Sequence, residues 1–233
     1  IKANAFKSNT TLTSVVIPEG VTTIASNAFN GCTSLTSISI PEGITTLESS
    51  TFKGCTSLKT VTLPTTLTTM NGYLFQNCTA LESISIPDSV TTFGSYLFDG
   101  CSKLTSVTLP NTLTAVPGYM FQNCTSLTEI SIPVSVTKFG SNVFKGCSVL
   151  ATINIPEGVT ELGSQVFYEC KKLAEITLPN SLIKIGSSAF KSNPALTNIV
   201  IPDSVTTIES YAFDNCTNLR TLHLGAGITN INE

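Results

Sequence analysis

Charged residues are scarce in this 233-residue sequence: they make up 12% of it, and 12 Lys and Arg against 15 Asp and Glu leave a net charge of −3. Hydrophobic residues make up 41%, which excludes a disordered polyelectrolyte, because such chains combine low hydrophobicity with high net charge. No cluster of Lys and Arg is present to neutralise phosphates, so we expect no nucleic-acid partner. No run of about 18 apolar residues occurs, so we expect no membrane insertion of this segment.

Residues that carry chemistry are equally rare. Histidine occurs once, as His223, and we interpret it as an ordinary surface residue. The sequence contains no nucleophile elbow, paired-carboxylate motif, phosphate-binding loop or metal-binding motif. We therefore expect no catalytic residue, no cofactor and no metal, and we predict that the chain is not an enzyme.

A repeat of 23 residues runs through the sequence without insertion or deletion. Nine prolines recur at this interval from Pro18 to Pro202, and ten phenylalanines from Phe6 to Phe213. Each copy follows the pattern L-x-x-I-x-I-P-x-x-V-T-x-I-x-x-x-x-A-F-x-x-C-x-x. A unit this short cannot bury its own apolar side chains, but stacked units bury them in a continuous core. The repeat predicts a single solenoid over residues 1–233, with ten coils of 23 residues.

Each coil is predicted to be mainly β. The segment from Leu35 to Pro41 alternates apolar and polar residues, which is typical of a short strand, and proline ends it. Turn-forming residues follow the proline. A second short extended segment comes after this turn, and in the preceding coil it runs from Val21 to Ile24. The next stretch, ASNAFNG, lacks alternation and is too short for a regular helix, so we expect a helical or 3₁₀ turn there.

Eight cysteines occupy one position of the repeat, at 32, 55, 78, 101, 124, 147, 170 and 216. Equivalent residues of neighbouring coils are separated by about 4.8 Å and point the same way. A disulfide requires Cβ atoms about 3.5–4.5 Å apart with converging directions. We therefore favour buried structural thiols; disulfides and reactive thiols are the alternatives.

The cysteine position is filled by asparagine twice, at Asn9 and Asn193, both within the tripeptide KSN. Gly or Asn usually precedes the cysteine, which predicts a left-handed residue there. In KSN the preceding residue is Ser, so we expect a different local backbone, with the asparagine amide bonded to backbone groups.

The outward residues of the first strand are the natural ligand surface of a solenoid. Equivalent positions of successive coils form a column, and the two outward columns are rich in Ser and Thr, with acidic residues in the second half. Candidate ligand-binding residues on this face are Ser83, Ser106, Thr108, Glu129 and Glu175. The alternative is that Ser and Thr are simply solvent-facing strand residues.

Three tyrosines share another column in consecutive coils: Tyr73, Tyr96 and Tyr119. Amphipathic aromatic side chains are enriched at recognition surfaces, so we include these three among the candidate binding residues and expect them to be exposed. The alternative is that each ring packs locally over the turn of its own coil.

The segment CTSLTSISIPEGITTLESSTFKGCTSL, from Cys32 to Leu58, resembles the BspA-like, or Treponema pallidum-type, leucine-rich repeat. The resemblance covers the whole chain and implies a leucine-rich-repeat solenoid. It also implies an extracellular or cell-surface location and an adhesion role, because members are typically surface proteins of host-associated bacteria with relatives in mucosal protists. The implied partners are host proteins or glycans on a cell or matrix surface.

Both ends of the sequence stop partway through a repeat, so we expect a fragment of a longer surface protein whose signal and anchor lie outside this segment. Two other functions stay open. The chain can be a passive spacer that displays another domain, or the repeat part of a multidomain enzyme.

Overall fold

Short parallel β-strands build the protein. In the computed structural model, which describes residues 1–232, each strand has two or three residues. The strands are β1 (Ser37–Ser39), β2 (Thr46–Leu47), β3 (Thr60–Thr62), β4 (Thr69–Met70), β5 (Ser83–Ser85), β6 (Thr92–Phe93), β7 (Ser106–Thr108), β8 (Ala115–Val116), β9 (Lys138–Phe139), β10 (Thr152–Asn154), β11 (Glu161–Leu162), β12 (Glu175–Thr177), β13 (Lys184–Ile185), β14 (Asn198–Val200), β15 (Thr207–Ile208), β16 (Thr221–His223) and β17 (Asn230–Ile231).

The chain divides into two compact units, the first ending at Thr112 and the second beginning at Leu113. In the first unit, β1 pairs with β3, β5 pairs with β7, and β2, β4 and β6 form a three-stranded sheet. In the second unit, β10 pairs with β12 and β14 with β16, while β8, β9, β11, β13, β15 and β17 form a six-stranded sheet. The single domain over residues 1–233 stays a prediction.

All of these pairs are parallel, and their register equals the length of the repeat. Ser37 pairs with Thr60 in the first unit, and Glu161 pairs with Lys184 in the second. Each repeat therefore makes one coil, and the predicted mainly β, parallel-strand solenoid is confirmed.

The coil count is slightly lower than the ten predicted. Eight coils contain the three-residue strand, whereas the equivalent residues 14–16 and 129–131 form no strand. Residues 129–131 keep the alternating pattern, whereas residues 14–16 lose it, because Val16 replaces the outward polar residue.

The segment after the second strand is not the helical or 3₁₀ turn that the sequence suggested. It is a series of tight turns, and residues 1–232 contain no helix. In the coil around Phe29, the N–H groups of Ala28, Asn30 and Cys32 each donate to the carbonyl three residues earlier, at 3.1–3.2 Å. Asn27 and Gly31 have φ angles of 58° and 73°, and such left-handed residues interrupt any right-handed helix.

The remaining N–H groups of this turn segment join neighbouring coils. Phe29 donates to the carbonyl of Thr51 at 2.9 Å, and Gly31 donates to that of Lys53 at 2.8 Å. Alternate amides thus close turns within a coil and link it to the next one, so a buried backbone without helix or strand still has its donors satisfied.

Stacked phenylalanine rings fill the core of each unit. Phe29, Phe52 and Phe75 are completely buried, and ring centroids of consecutive coils lie 5.5–5.6 Å apart. In the second unit, Phe144 and Phe167 stack at 5.6 Å. These columns hold the coils together and leave the outward strand residues to solvent.

Candidate binding surfaces

The strand face of the first unit presents a hydroxyl-rich surface. Ser83 and Ser106 lie directly opposite each other in β5 and β7, and Ser85 lies opposite Thr108. All four are exposed, because the alternating residues Ile84 and Val107 point into the core. Ser83, Ser106 and Thr108 are therefore positioned for contact with a partner, and their role in binding remains a prediction.

The acidic candidates lie in the second unit. Glu175 begins β12, and Glu129 lies in the segment that forms no strand; both are exposed. Glu175 contributes to a groove with a volume of about 470 Å³ that runs along β12 and β14. Glu129 does not line this groove. The structure therefore does not bring the two carboxylates together in one groove.

Sequence reasoning missed the other groove residues. Asn198 and Val200 form the β14 side, Thr177 the β12 side, and Asn180 and Pro202 the end beyond the strands. Val200 is 60% exposed, which is unusual for a large apolar side chain on a strand. The signal was present in the outward columns, where a valine replaces the usual hydroxyl residue one coil after Glu175.

The tyrosine column lies on the turn segment and not on a strand. Tyr73 is 40% exposed, whereas Tyr96 and Tyr119 are half-buried, so the expected exposure is found for Tyr73 and is wrong for the other two. Each occupies the first left-handed position of its turn, with φ of 61–62°.

Within the first unit, tyrosine faces are covered by neighbours. The rings of Tyr73 and Tyr96 stack with centroids 4.7 Å apart and planes 10° apart. The Lys53 ammonium, from the preceding coil, lies 5.4 Å from the centroid of Tyr73, a cation–π contact. Because both faces of Tyr73 are occupied, its ring edge and hydroxyl are the parts open to a partner. Tyr73 therefore packs against its neighbours and still exposes part of its ring to a partner.

The cysteines are free thiols inside the stack. All except the half-buried Cys216 are buried. The Cys78 thiol donates to the carbonyl of Phe52 at 3.1 Å, and the same contact, to the phenylalanine 26 residues earlier, is made by Cys32, Cys55, Cys101, Cys147, Cys170 and Cys216. These thiols are hydrogen-bonded structural groups, which is the interpretation that the sequence favoured.

Burial also makes the thiols poor nucleophiles. Loss of hydration raises the pKa of Cys55 and of Cys147 to about 12, from an ordinary value of 9.0. The same cause raises the pKa of Cys78 and Cys170 well above that value. Because the thiolate is the reactive form, this column is not a candidate site for thiol chemistry.

Asn193 occupies the cysteine position as a buried hydrogen-bond donor. Its amide nitrogen donates to the carbonyls of Phe167, at 2.9 Å, and Phe190, at 2.8 Å, and the residue is completely buried. The predicted bonding of this amide to backbone groups is thereby confirmed.

The backbone part of the KSN prediction is wrong. Ser192 has a φ of 60°, as does Glu169 at the equivalent position of the preceding coil. The inter-coil hydrogen bonds fix the left-handed conformation whichever residue is present. Asn9 also differs from Asn193: it is exposed, and its side-chain oxygen accepts hydrogen bonds from the N–H groups of Thr11 and Leu12.

A charged cluster on the second-strand side of the second unit was not predicted. The Lys184 ammonium lies 2.7 Å from a carboxylate oxygen of Glu209 and 3.5 Å from one of Glu161. The Glu209 carboxylate also accepts a hydrogen bond from the N–H of Ser187 at 2.9 Å. The hydrogen bond from Lys184 lowers the pKa of Glu209. The three side chains pair with one another, so this cluster is structural.

The part of the chain that the structure describes contains neither a cluster of metal-ligating side chains nor a membrane-spanning helix. Residues 1–232 contain no group of three or more His, Cys, Asp or Glu side chains arranged to hold a metal ion. No helix in the same range has the length and apolar character that crossing a bilayer requires.

The chain resembles several leucine-rich repeat proteins of known structure. A leucine-rich repeat protein from Bacteroides ovatus is 25% identical with a TM-score of 0.64, over 100% of this chain and 78% of that one. A leucine-rich cell surface protein from Faecalibacterium prausnitzii is 30% identical with a TM-score of 0.64, over 95% and 68% of the two chains. The T. pallidum leucine-rich repeat protein is 28% identical with a TM-score of 0.54, over 79% and 78%.

A comparison with curated proteins gave no match. The family model for the BspA-type leucine-rich repeat region, which holds six copies of the repeat, matches residues 1–128 and 114–233. Solenoids of this kind are typically non-catalytic and bind partners over an extended repeat surface. The 23-residue register, the phenylalanine and cysteine columns and this match together show that the chain belongs to the BspA-type leucine-rich repeat family.

Proposed function

We propose that this chain is a non-catalytic adhesion module, displayed outside the cell, that binds host protein or glycan on a cell or matrix surface. The observation that carries the proposal is the exposure of the outward residues of every three-residue strand. Within each unit, such a face offers many weak polar contacts at regular spacing, and affinity then accumulates from several contacts.

The cell-surface location is supported by the F. prausnitzii relative, which is described as a leucine-rich cell surface protein. A non-catalytic role is supported by the thiols, which are buried with raised pKa values.

The Tyr73 and Tyr96 pair supports a protein partner more than a sugar ring at that position. Stacking on a sugar needs a free aromatic face, and the faces of Tyr73 are taken by Tyr96 and Lys53. The exposed edge and hydroxyl suit hydrogen bonding and apolar contact with a polypeptide.

Retention of the purified chain on decellularised epithelial matrix and on a glycan array tests the proposal. We expect retention on the matrix, and we expect Tyr73→Ala to weaken it several-fold. Tyr168→Ala is the control, since Tyr168 also carries a lysine over its ring, at 5.1 Å, but lies outside the tyrosine column. Retention on neither surface would favour the passive spacer.

A further inference from the structure

We propose that the groove along β12 and β14 binds a lysine or arginine side chain of an extended segment of a partner protein. The groove belongs to the strand face of the proposed adhesion function, and the inference rests on that function. Its volume, about 470 Å³, falls within the range of about 300–1,000 Å³ that is usual for ligand sites.

An unpaired carboxylate lies at one end of the groove. Glu175 is exposed and makes no ion pair or side-chain hydrogen bond within residues 1–232. No basic residue lines the groove, and Arg220 and His223, farther along the same face, make no ion pair with Glu175. This contrasts with Glu161 and Glu209, which both form an ion pair with Lys184. The groove therefore has a negative end that complements a cation.

An apolar surface lies beside that carboxylate. Val200 is 60% exposed, and Pro202 and Ile199 continue the apolar lining. Two residues along a strand correspond to about 7 Å, so the carboxylate and the valine are separated by roughly the length of a lysine or arginine side chain. Such side chains lay their aliphatic stem on apolar surface and keep the charged end at a polar group.

Amides provide polar contacts at both ends. The Asn198 side-chain oxygen accepts a hydrogen bond from the hydroxyl of Thr197 at 3.1 Å, so its amide N–H groups are the part that can donate to a ligand carbonyl. Asn180, at the other end of the groove, is exposed. A peptide that follows β12 and continues beyond it to Asn180 would span up to about 17 Å, a length that accommodates several extended residues.

The lining disfavours the two other classes of ligand. It contains no aromatic side chain on which a sugar ring could stack, and its single formal charge is negative, which repels phosphate and sulfate groups. A basic, extended polypeptide is therefore the partner that the groove fits.

Fluorescence anisotropy with a labelled octapeptide of alternating Lys and Thr tests the inference. The matched probe carries acetyl-lysine at each Lys, which keeps the stem and removes the charge. We expect the wild-type chain to bind the Lys peptide at least tenfold more tightly than the acetylated one. Glu175→Gln should abolish that difference, and 500 mM NaCl should reduce it.

Two variants separate the groove from general charge. Glu129→Gln removes the same charge from an exposed carboxylate outside the groove, and we expect less than a twofold change. Val200→Ser should weaken both peptides by a similar factor, because both keep the stem. Equal affinity of the wild type for the two peptides, or equal losses in Glu175→Gln and Glu129→Gln, would overturn the inference.

Failure of this inference can be told apart from failure of the proposed function. If the chain is retained on matrix but does not prefer the Lys peptide, only the groove assignment is rejected. Selective peptide binding without retention on matrix or glycan rejects the adhesion function alone.

Discussion

The cysteine column shows what one side chain contributes to the stack. Each turn segment leaves a phenylalanine carbonyl facing the coil that follows, and a thiol donates to it, as Cys55 does to Phe29 at 3.2 Å. Asn193 performs the same task with an amide that bonds two carbonyls. Its side-chain oxygen is buried without a hydrogen-bond partner, a penalty that a thiol avoids. Cysteine is therefore suited to this position as a small, weakly polar donor.

The raised thiol pKa values predict a loss of stability in alkali. Above pH 9 the unfolded chain releases the thiol protons and the folded chain keeps them, so unfolding is favoured as pH rises. For Cys55 and Cys147 the stabilisation is complete below pH 9 and is lost between pH 9 and about 12. The loss is about 1.4 kcal/mol per pH unit for each thiol.

Urea unfolding at pH 8 and at pH 10 measures this effect. The double variant Cys55→Ala and Cys147→Ala should show a smaller drop in unfolding free energy between the two pH values. An identical drop in the variant and the wild type would mean that these two thiols do not remain protonated in the folded state.

The sequence pattern predicted the position of Asn193 but not the backbone conformation of Ser192, the residue before it. The repeat located the residue in the cysteine column, and the chemistry of an amide predicted its bonds to backbone groups. The left-handed φ of Ser192 could not be read from residue preference, because serine seldom adopts that conformation. The conformation is set by hydrogen bonds to the next coil, such as that from the Ser192 N–H to the Asp214 carbonyl at 2.8 Å, and tertiary contacts of this kind override local preference.

At the level of elements, two kinds of backbone stack in parallel. The strands pair in a 23-residue register, and the turn segments form their own ladder of inter-coil hydrogen bonds. The strands were predictable from period-two alternation. The left-handed Gly31 before Cys32 was predicted and is confirmed. The turn segment was still misread as helical, because ASNAFNG lacks alternation and the left-handed Asn27 was not predicted.

The phenylalanine column should dominate the stability of the stack. Phe75 is completely buried and stacks on Phe52 at 5.5 Å and on Phe98 at 5.7 Å. We expect Phe75→Ala to lower the unfolding free energy by about 3–5 kcal/mol, through lost burial and the cavity that remains.

Chemical denaturation of Phe75→Ala and of Phe6→Ala provides the comparison. Phe6 is only half-buried and stacks on Phe29 at 5.2 Å, so its replacement should lower the unfolding free energy less. Equal losses would show that the stacked column adds nothing beyond a single aromatic contact.

At the level of the whole molecule, repetition explains why the fold was easier to predict than the site. Every coil repeats the same core residues, so an ambiguous copy of the repeat can be interpreted by comparison with the other copies. A binding site depends on departures from the repeat, such as Glu175 and Val200, and this combination in adjacent coils occurs once. Their outward position followed from alternation, but the groove depends on how β12 and β14 lie side by side, which the repeat pattern does not encode.

The central claim is that the outward strand face contributes more to recognition of the partner than the residues beside the second strands. The most direct measurement compares retention of two double variants on decellularised epithelial matrix. One is Ser83→Arg with Ser106→Arg, on β5 and β7; the control is Thr45→Arg with Thr91→Arg, exposed residues beside the second strands. We predict that the strand-face variant loses at least tenfold in retention and the control less than twofold, with circular dichroism showing that both variants are folded. Equal retention by the two variants would contradict the account.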